Sequence, residues 1–284
     1  MTINEMPHFI GIGAQRCATT WLAQCLGEHP AVYCPEKKEV QYFDVYYDRG
    51  RDWYLDHFAD ATSEQTYGEY TPDYLPKREA IDRLVRDAPN AKLIIMLRDP
   101  VERAASAFRL FKSRGRIETD DLSVALRDHS HLIDYGRYAA QIEYLFTRVD
   151  SSQVKIILFD DVHRDPYHVL RDLFRWIDID PDFECPSATQ IANLSLSPWL
   201  QKRLDSSRFL RKVADSPIGS IAKYVRKQRQ KAAAGKSKSG SIVTDACQAY
   251  LTEHLADDTV KLGGMLDRDL SHWLSHPKNH TATA

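Results

Sequence analysis

Apolar residues in this chain gather in short dense runs, separated by longer stretches whose apolar positions recur at helical spacing. Residues 8–13 (HFIGIG) form a brief β-rich run ending in glycines. The polar residues after it lead into TTWLAQCLGEHP, a helical pattern with Gly27 and Pro30 as stop signals. Residues 31–34 (AVYC) and 66–71 (TYGEYT) are candidates for two more short strands. Residues 92–97 (KLIIML) and 154–159 (VKIILF) are the clearest strands, nearly all apolar, as a parallel strand covered on both faces should be. Behind the first of them, RDPVERAASAFRLFK reads as a helix with Pro100 in its opening turn, and 135–149 and 167–177 carry the amphipathic pattern again. Strand and helix alternate, which predicts an α/β fold: a parallel sheet of about five strands with helices on both faces.

Beyond about residue 195 the strand signal stops and a helical C-terminal region is expected, about 195–276, with Trp273 and Leu274 docked back on the body. Within it, 227–241 (KQRQKAAAGKSKSGS) is a basic stretch of low complexity, expected as a flexible loop. No internal repeat and no second-domain boundary is visible, so the chain reads as one domain over 1–284 with its core at about 8–180.

Composition narrows the field. With 43% hydrophobic and 27% charged residues the chain can bury a substantial core, and a net charge of −2 gives no global pull toward nucleic acid. Cys17, Cys25, Cys34, Cys185 and Cys247 form no CxxC pair and no zinc-ligand spacing, so reduced thiols and no metal are expected. The opening MTINEMPHFIGIG lacks the basic and apolar regions of a secretory signal, and no apolar run reaches the roughly 20 residues that span a bilayer, so a cytoplasmic location is expected. Oligomeric state leaves no mark in the sequence.

Chemistry enters at the first glycine-ended strand. A strand that opens through a tight loop into a helix is a ready anion site, because the helix start offers unpaired N–H groups and partial positive charge. GIGAQRCATTWL has this form and implies a P-loop-NTPase-like backbone, but it is not a Walker A motif. Counted from Gly13, Ala18 stands where the second glycine would be and Thr19 where the lysine would be. A second candidate anion site is Arg98 with Asp99 and Pro100 at the end of the strand 92–97, followed by Ser106 on the helix.

These segments resemble the sulfotransferases that use 3′-phosphoadenosine 5′-phosphosulfate (PAPS), in particular the heparan-sulfate type and its bacterial relatives. Arg16-Cys17-Ala18-Thr19-Thr20-Trp21-Leu22 is similar to that family's K-x-G-T-T-x-L phosphosulfate loop, with Arg16 for Lys and Ala18 for Gly. The resemblance implies that Thr19, Thr20 and the loop amides hold the 5′-phosphate, that Arg16 meets the leaving phosphosulfate, and that Trp21 stacks on adenine. Arg98 and Ser106 match the family's 3′-phosphate signature. Lys38-Glu39-Val40-Gln41-Tyr42-Phe43-Asp44 is similar to the segment that carries the family's catalytic glutamate, which implies Glu39 as general base with Lys38 or Arg16 steadying the sulfuryl group. Glu69-Tyr70-Thr71-Pro72-Asp73-Tyr74 resembles a segment of the acceptor cleft, with Tyr70 where lysine is common. Tyr138 reads either as a core tyrosine or as a residue facing the nucleotide, and Lys236 beside Gly235 either as a 3′-phosphate cation or as part of a solvated loop.

The expected activity is direct sulfuryl transfer from PAPS to a hydroxyl or amine of an acceptor, a saccharide, glycolipid or small molecule, without metal. Two other readings stand beside it. A P-loop kinase would need a lysine at the Thr19 position, and a non-catalytic nucleotide-binding or scaffold protein would explain Arg16 and Tyr70.

Overall fold

The computed structural model describes residues 5–190 and 242–274. The expected basic loop at 227–241, with Gly235 and Lys236, and most of the expected helical region from 195 lie outside them.

Among the described residues the chain runs β1 (Phe9–Gly13), α1 (Thr19–Glu28), β2 (Val32–Tyr33), α2 (Gly50–Leu55), β3 (Thr66–Tyr70), α3 (Arg78–Asp87), β4 (Lys92–Leu97) and α4 (Pro100–Ser113). It continues through α5 (Leu122–Asp128), α6 (His131–Asp134), α7 (Tyr138–Phe146), β5 (Val154–Leu158), α8 (Phe159–Arg164) and α9 (Pro166–Trp176), and ends with α10 (Asp245–Leu266). The five strands lie in the order β2-β3-β1-β4-β5 and every pairing is parallel. Chain order reverses on either side of β1, so the ends of β1 and β4 lie at the switch point where open α/β sheets bind ligands.

The strands sit where the apolar runs predict them. β1 and β4 are buried along nearly their whole length, and their side chains enter one core with α1, α7 and α9. Gly11 is glycine for a packing reason: a Cβ there would overlap the ring of Tyr70 on β3. That contact uses up Tyr70, whose hydroxyl donates to the Gly13 carbonyl at 2.7 Å.

Two differences from the expected elements have identifiable causes. The helix expected over 135–149 is shorter, α7 over Tyr138–Phe146, with three residues between it and the end of α6 at Asp134. Asp258 of α10 accepts hydrogen bonds from the Ala139 and Ala140 amides at 2.9 and 3.0 Å and so caps the start of α7 from 119 residues away. α2, α3, α5, α6 and α8 are additional. α3 buries Ala80, Ile81 and Leu84 along one face, a short amphipathic pattern easily lost among its charged neighbours. At the C-terminal end Trp273 is buried as expected, its indole N–H donating to Asp160 at 2.8 Å, while Arg268 pairs with Asp161 on α8.

Candidate active site

The loop between β1 and α1 is strained where the expected motif has glycine. Ala18, the N-cap of α1, takes a left-handed backbone (φ 66), and Arg16 does the same (φ 71). Glycine adopts this conformation without steric cost, whereas for alanine it costs about 1 kcal/mol, so the loop keeps a glycine-type path without the glycine. No side chain caps α1 and no acidic residue lies in its first turn, which leaves its positive end facing the loop.

Thr19 and Thr20 present their hydroxyls to one cation. The Lys38 ammonium donates to Thr19 Oγ1 at 3.3 Å, to Thr20 Oγ1 at 3.2 Å and to the Glu39 carboxylate at 3.4 Å. Burial, and next the nearby Arg16 charge, weigh against the protonated amine, while Glu39 supports it; the balance lowers the Lys38 pKa. The 38–41 segment is held from below. Gln41 is left-handed (φ 60) and its amide donates to Thr71 Oγ1 at 3.2 Å, while Val40 and Phe43 are fully buried. Asp44 pairs with Lys77 at 2.7 Å. The Glu39 carboxylate remains 42% exposed, open to a ligand above the loop.

A second group of charges forms around α4. Asp99 accepts from the Val101 and Glu102 amides at 2.8 and 3.3 Å and so caps the helix; burial lifts its carboxyl to about 7. Arg98 is buried, packs over the Phe159 ring at 5.0 Å and donates to Glu102 at 2.9 Å. Ser106 is also buried, two turns further along.

Arg16 joins the two groups, though not where the resemblance puts it. Its guanidinium donates to Ser106 Oγ at 3.0 Å, 90 residues away in sequence. Burial lowers its pKa, and so do Arg98, Arg109 and Arg114, all close enough to be felt. Arg16 is therefore turned toward α4, and Lys38 is the cation on the loop threonines. Arg109 and Arg114 are not among the residues expected at the site, although Arg109 lies three residues, one helical turn, from Ser106.

The other expected ligand residues divide. Cys17 is buried beneath the loop with its thiol 3.4 Å from the Tyr138 hydroxyl, and Tyr138 is a core residue. Trp21 corrects an expectation. Its ring is 2% exposed and its N–H is held by the Ser187 and Ala188 carbonyls at 3.1 and 3.2 Å, so it offers no open face for adenine. An indole buries well only if its N–H finds an acceptor, and the 187–188 turn supplies it.

The described residues contain no group of three or more His, Cys, Asp or Glu side chains able to hold a metal ion, and no helix long and apolar enough to cross a membrane.

A five-stranded parallel sheet whose strand–loop–helix turn carries Lys38 on its threonines, with an arginine–serine group beside it on α4, defines an α/β protein. Comparison with known proteins gives the family: residues 37–184, just over half of the chain, match the sulfotransferase family, and the chain belongs to it. It is 28% identical over 214 residues to the membrane-associated sulfotransferase kil1 of Dictyostelium discoideum, covering 66% of this chain and 44% of that one. It is 30% identical over 171 residues to the human heparan sulfate glucosamine 3-O-sulfotransferase 3B1, covering 57% of this chain and 44% of that one. The chain thus spans less than half the length of these curated relatives. Its fold matches the crystal structure of a sulfotransferase from Alicyclobacillus acidocaldarius with a TM-score of 0.67 at 24% identity, over 95% of this chain and 99% of that one.

Proposed function

We propose that this enzyme moves the sulfuryl group of PAPS to a hydroxyl or amine of its acceptor by direct in-line displacement. In this reading Thr19, Thr20 and the α1 amides hold the 5′-phosphate, and Lys38 meets the bridging and sulfuryl oxygens. Arg98, Ser106 and Arg16 hold the 3′-phosphate. Glu39 takes the acceptor proton as the acceptor oxygen or nitrogen bonds to sulfur. The sulfur–oxygen bond to the 5′-phosphate then breaks, and adenosine 3′,5′-bisphosphate leaves.

The observation that carries this reading is the position of Lys38. One ammonium touches both loop hydroxyls and the open carboxylate of Glu39. A cation placed there lies between a phosphate bound on the loop and an acceptor whose proton Glu39 would take, where negative charge grows as the bond to the leaving phosphate breaks. Positioning and electrostatics carry such a transfer, as they do in phosphoryl transfer, and no covalent intermediate is needed. Two features argue against a kinase: Thr19 occupies the position of the Walker lysine, and the second cationic group suits a separate 3′-phosphate. The relatives named for heparan sulfate support a carbohydrate-bearing acceptor.

Calorimetry with the 3′,5′-bisphosphate, 5′-AMP and ATP with Mg²⁺ tests the donor. The bisphosphate is expected to bind most tightly without metal. Tighter binding of ATP with Mg²⁺ would overturn the proposal in favour of a kinase.

A further inference from the structure

Beside Lys38 the structure holds a cleft of about 300 Å³, at the lower end of the size range of small-molecule sites. Thr20, Lys38 and Glu36 are polar lining residues; Phe9, Ala23, Leu26, Gly27 and Pro35 make much of the rest apolar, with Gln24 among them turned to Glu28 and Ser187. Thr20 and Gly27 lie seven residues apart on α1, so the cleft follows the helix for about 10 Å. The Lys38 ammonium that lines it also touches Glu39.

Charge along this slot is sparse and of mixed sign. Among the described residues Lys38 is the only cation lining it, and it already serves three acceptors. Against it stand Glu36 at the slot and Glu39 beyond Lys38. Glu69, which also lines the slot, is fully enclosed with its oxygens bonded to Thr71 and Tyr74 at 2.7 and 2.8 Å. Burial raises its carboxyl to about 8, which keeps it neutral near pH 7. A polyanionic chain laid here would meet carboxylates with one cation to offset them, whereas an alkyl segment would gain from leaving water.

We infer that the slot along α1 binds the apolar part of an uncharged, alkyl-bearing alcohol, such as a neutral glycolipid, and so presents its hydroxyl head to Glu39. This rests on the proposed transfer reaction and narrows its acceptor class.

Gly27 gives the test. Gly27 lines the slot and a Cβ there meets nothing within 4 Å, so Gly27→Phe adds a ring at the slot without overlapping the core, and Gly27→Ala serves as the mild control. The probes are octyl β-D-glucopyranoside below its micelle concentration and methyl β-D-glucopyranoside, with PAPS as donor. Wild type and Gly27→Ala should favour the octyl compound at least tenfold in kcat/KM. Gly27→Phe should bring that ratio to about one while binding the bisphosphate as wild type does. Equal use of both glucosides by the wild type, an unchanged ratio in Gly27→Phe, or no turnover of either by protein that binds the bisphosphate would each overturn the inference. Failure to bind the bisphosphate would instead overturn the donor assignment beneath it.

Discussion

Replacing Lys38 by methionine keeps a side chain of similar length and removes only the ammonium. That ammonium donates to Thr19 at 3.3 Å, Thr20 at 3.2 Å and Glu39 at 3.4 Å, and methionine can make none of these bonds. If the ammonium steadies charge that appears only as the bond to the leaving phosphate breaks, its removal should fall on the chemical step. One preorganised donor of this kind supplies about 2.7–4 kcal/mol, so kcat should drop roughly 10²- to 10³-fold. The bisphosphate product keeps Thr19, Thr20, Arg98 and Ser106, and its affinity should weaken less than about tenfold. Breaking the Glu39 pair adds little to this, since that carboxylate is 42% exposed and its ion pair is screened by solvent. The reverse reaction gives an assay that needs no natural acceptor: bisphosphate and 4-nitrophenyl sulfate yield PAPS and coloured 4-nitrophenolate. A fall in kcat of less than about threefold, or an equal fall in rate and in bisphosphate affinity, would refute the assignment, because a residue used only for binding acts on ground and transition states alike.

Three further outcomes are expected. Arg98→Ala removes a buried guanidinium; at about 1.5–3 kcal/mol for a charge-assisted bond, bisphosphate binding should weaken roughly ten- to 150-fold in calorimetry while 5′-AMP binding changes little. Arg109→Gln takes one charge from the mutually repelling group around Ser106; the free protein should melt no lower than wild type, and the rise in Tm caused by bisphosphate should shrink. Glu69 keeps its proton up to about 8 in the folded state and releases it near 4.5 when unfolded, so its contribution makes stability fall as pH rises between those values and level off above them. Glu69→Gln should flatten that part of the Tm–pH curve, and a constant difference between variant and wild type over the same interval would contradict the burial argument.

The fold was legible because its strands advertise themselves. KLIIML and VKIILF are apolar enough to require cover on both faces, and β4 and β5 occupy almost those residues. Asp99 and Pro100 mark the start of α4 in any context, since one caps the helix and the other presets its first turn. The strand–loop–helix turn at 9–28 was legible too, through its glycines and threonines.

What escaped depends on contacts between distant residues. Arg16 looks like the loop's own cation until Ser106 and Lys38 are seen together: one hydroxyl draws the guanidinium away and the ammonium takes its place. Trp21 looks like a stacking surface until the 187–188 carbonyls are found on its N–H. The break before α7 depends on Asp258, far beyond the window of any periodicity. Arg109 was within reach, since a cation one turn from Ser106, the serine proposed to hold the 3′-phosphate, is a signal by spacing alone.

The proton acceptor is the part of the mechanism that one substitution isolates best. Sulfuryl transfer from labelled PAPS to an alkyl alcohol should slow about 10²- to 10⁴-fold in Glu39→Gln, with bisphosphate affinity unchanged, because a base acts only as the acceptor proton leaves. Transfer at the wild-type rate by a Glu39→Gln protein that binds the bisphosphate normally would contradict the assignment of Glu39 as base, and with it the proposed mechanism.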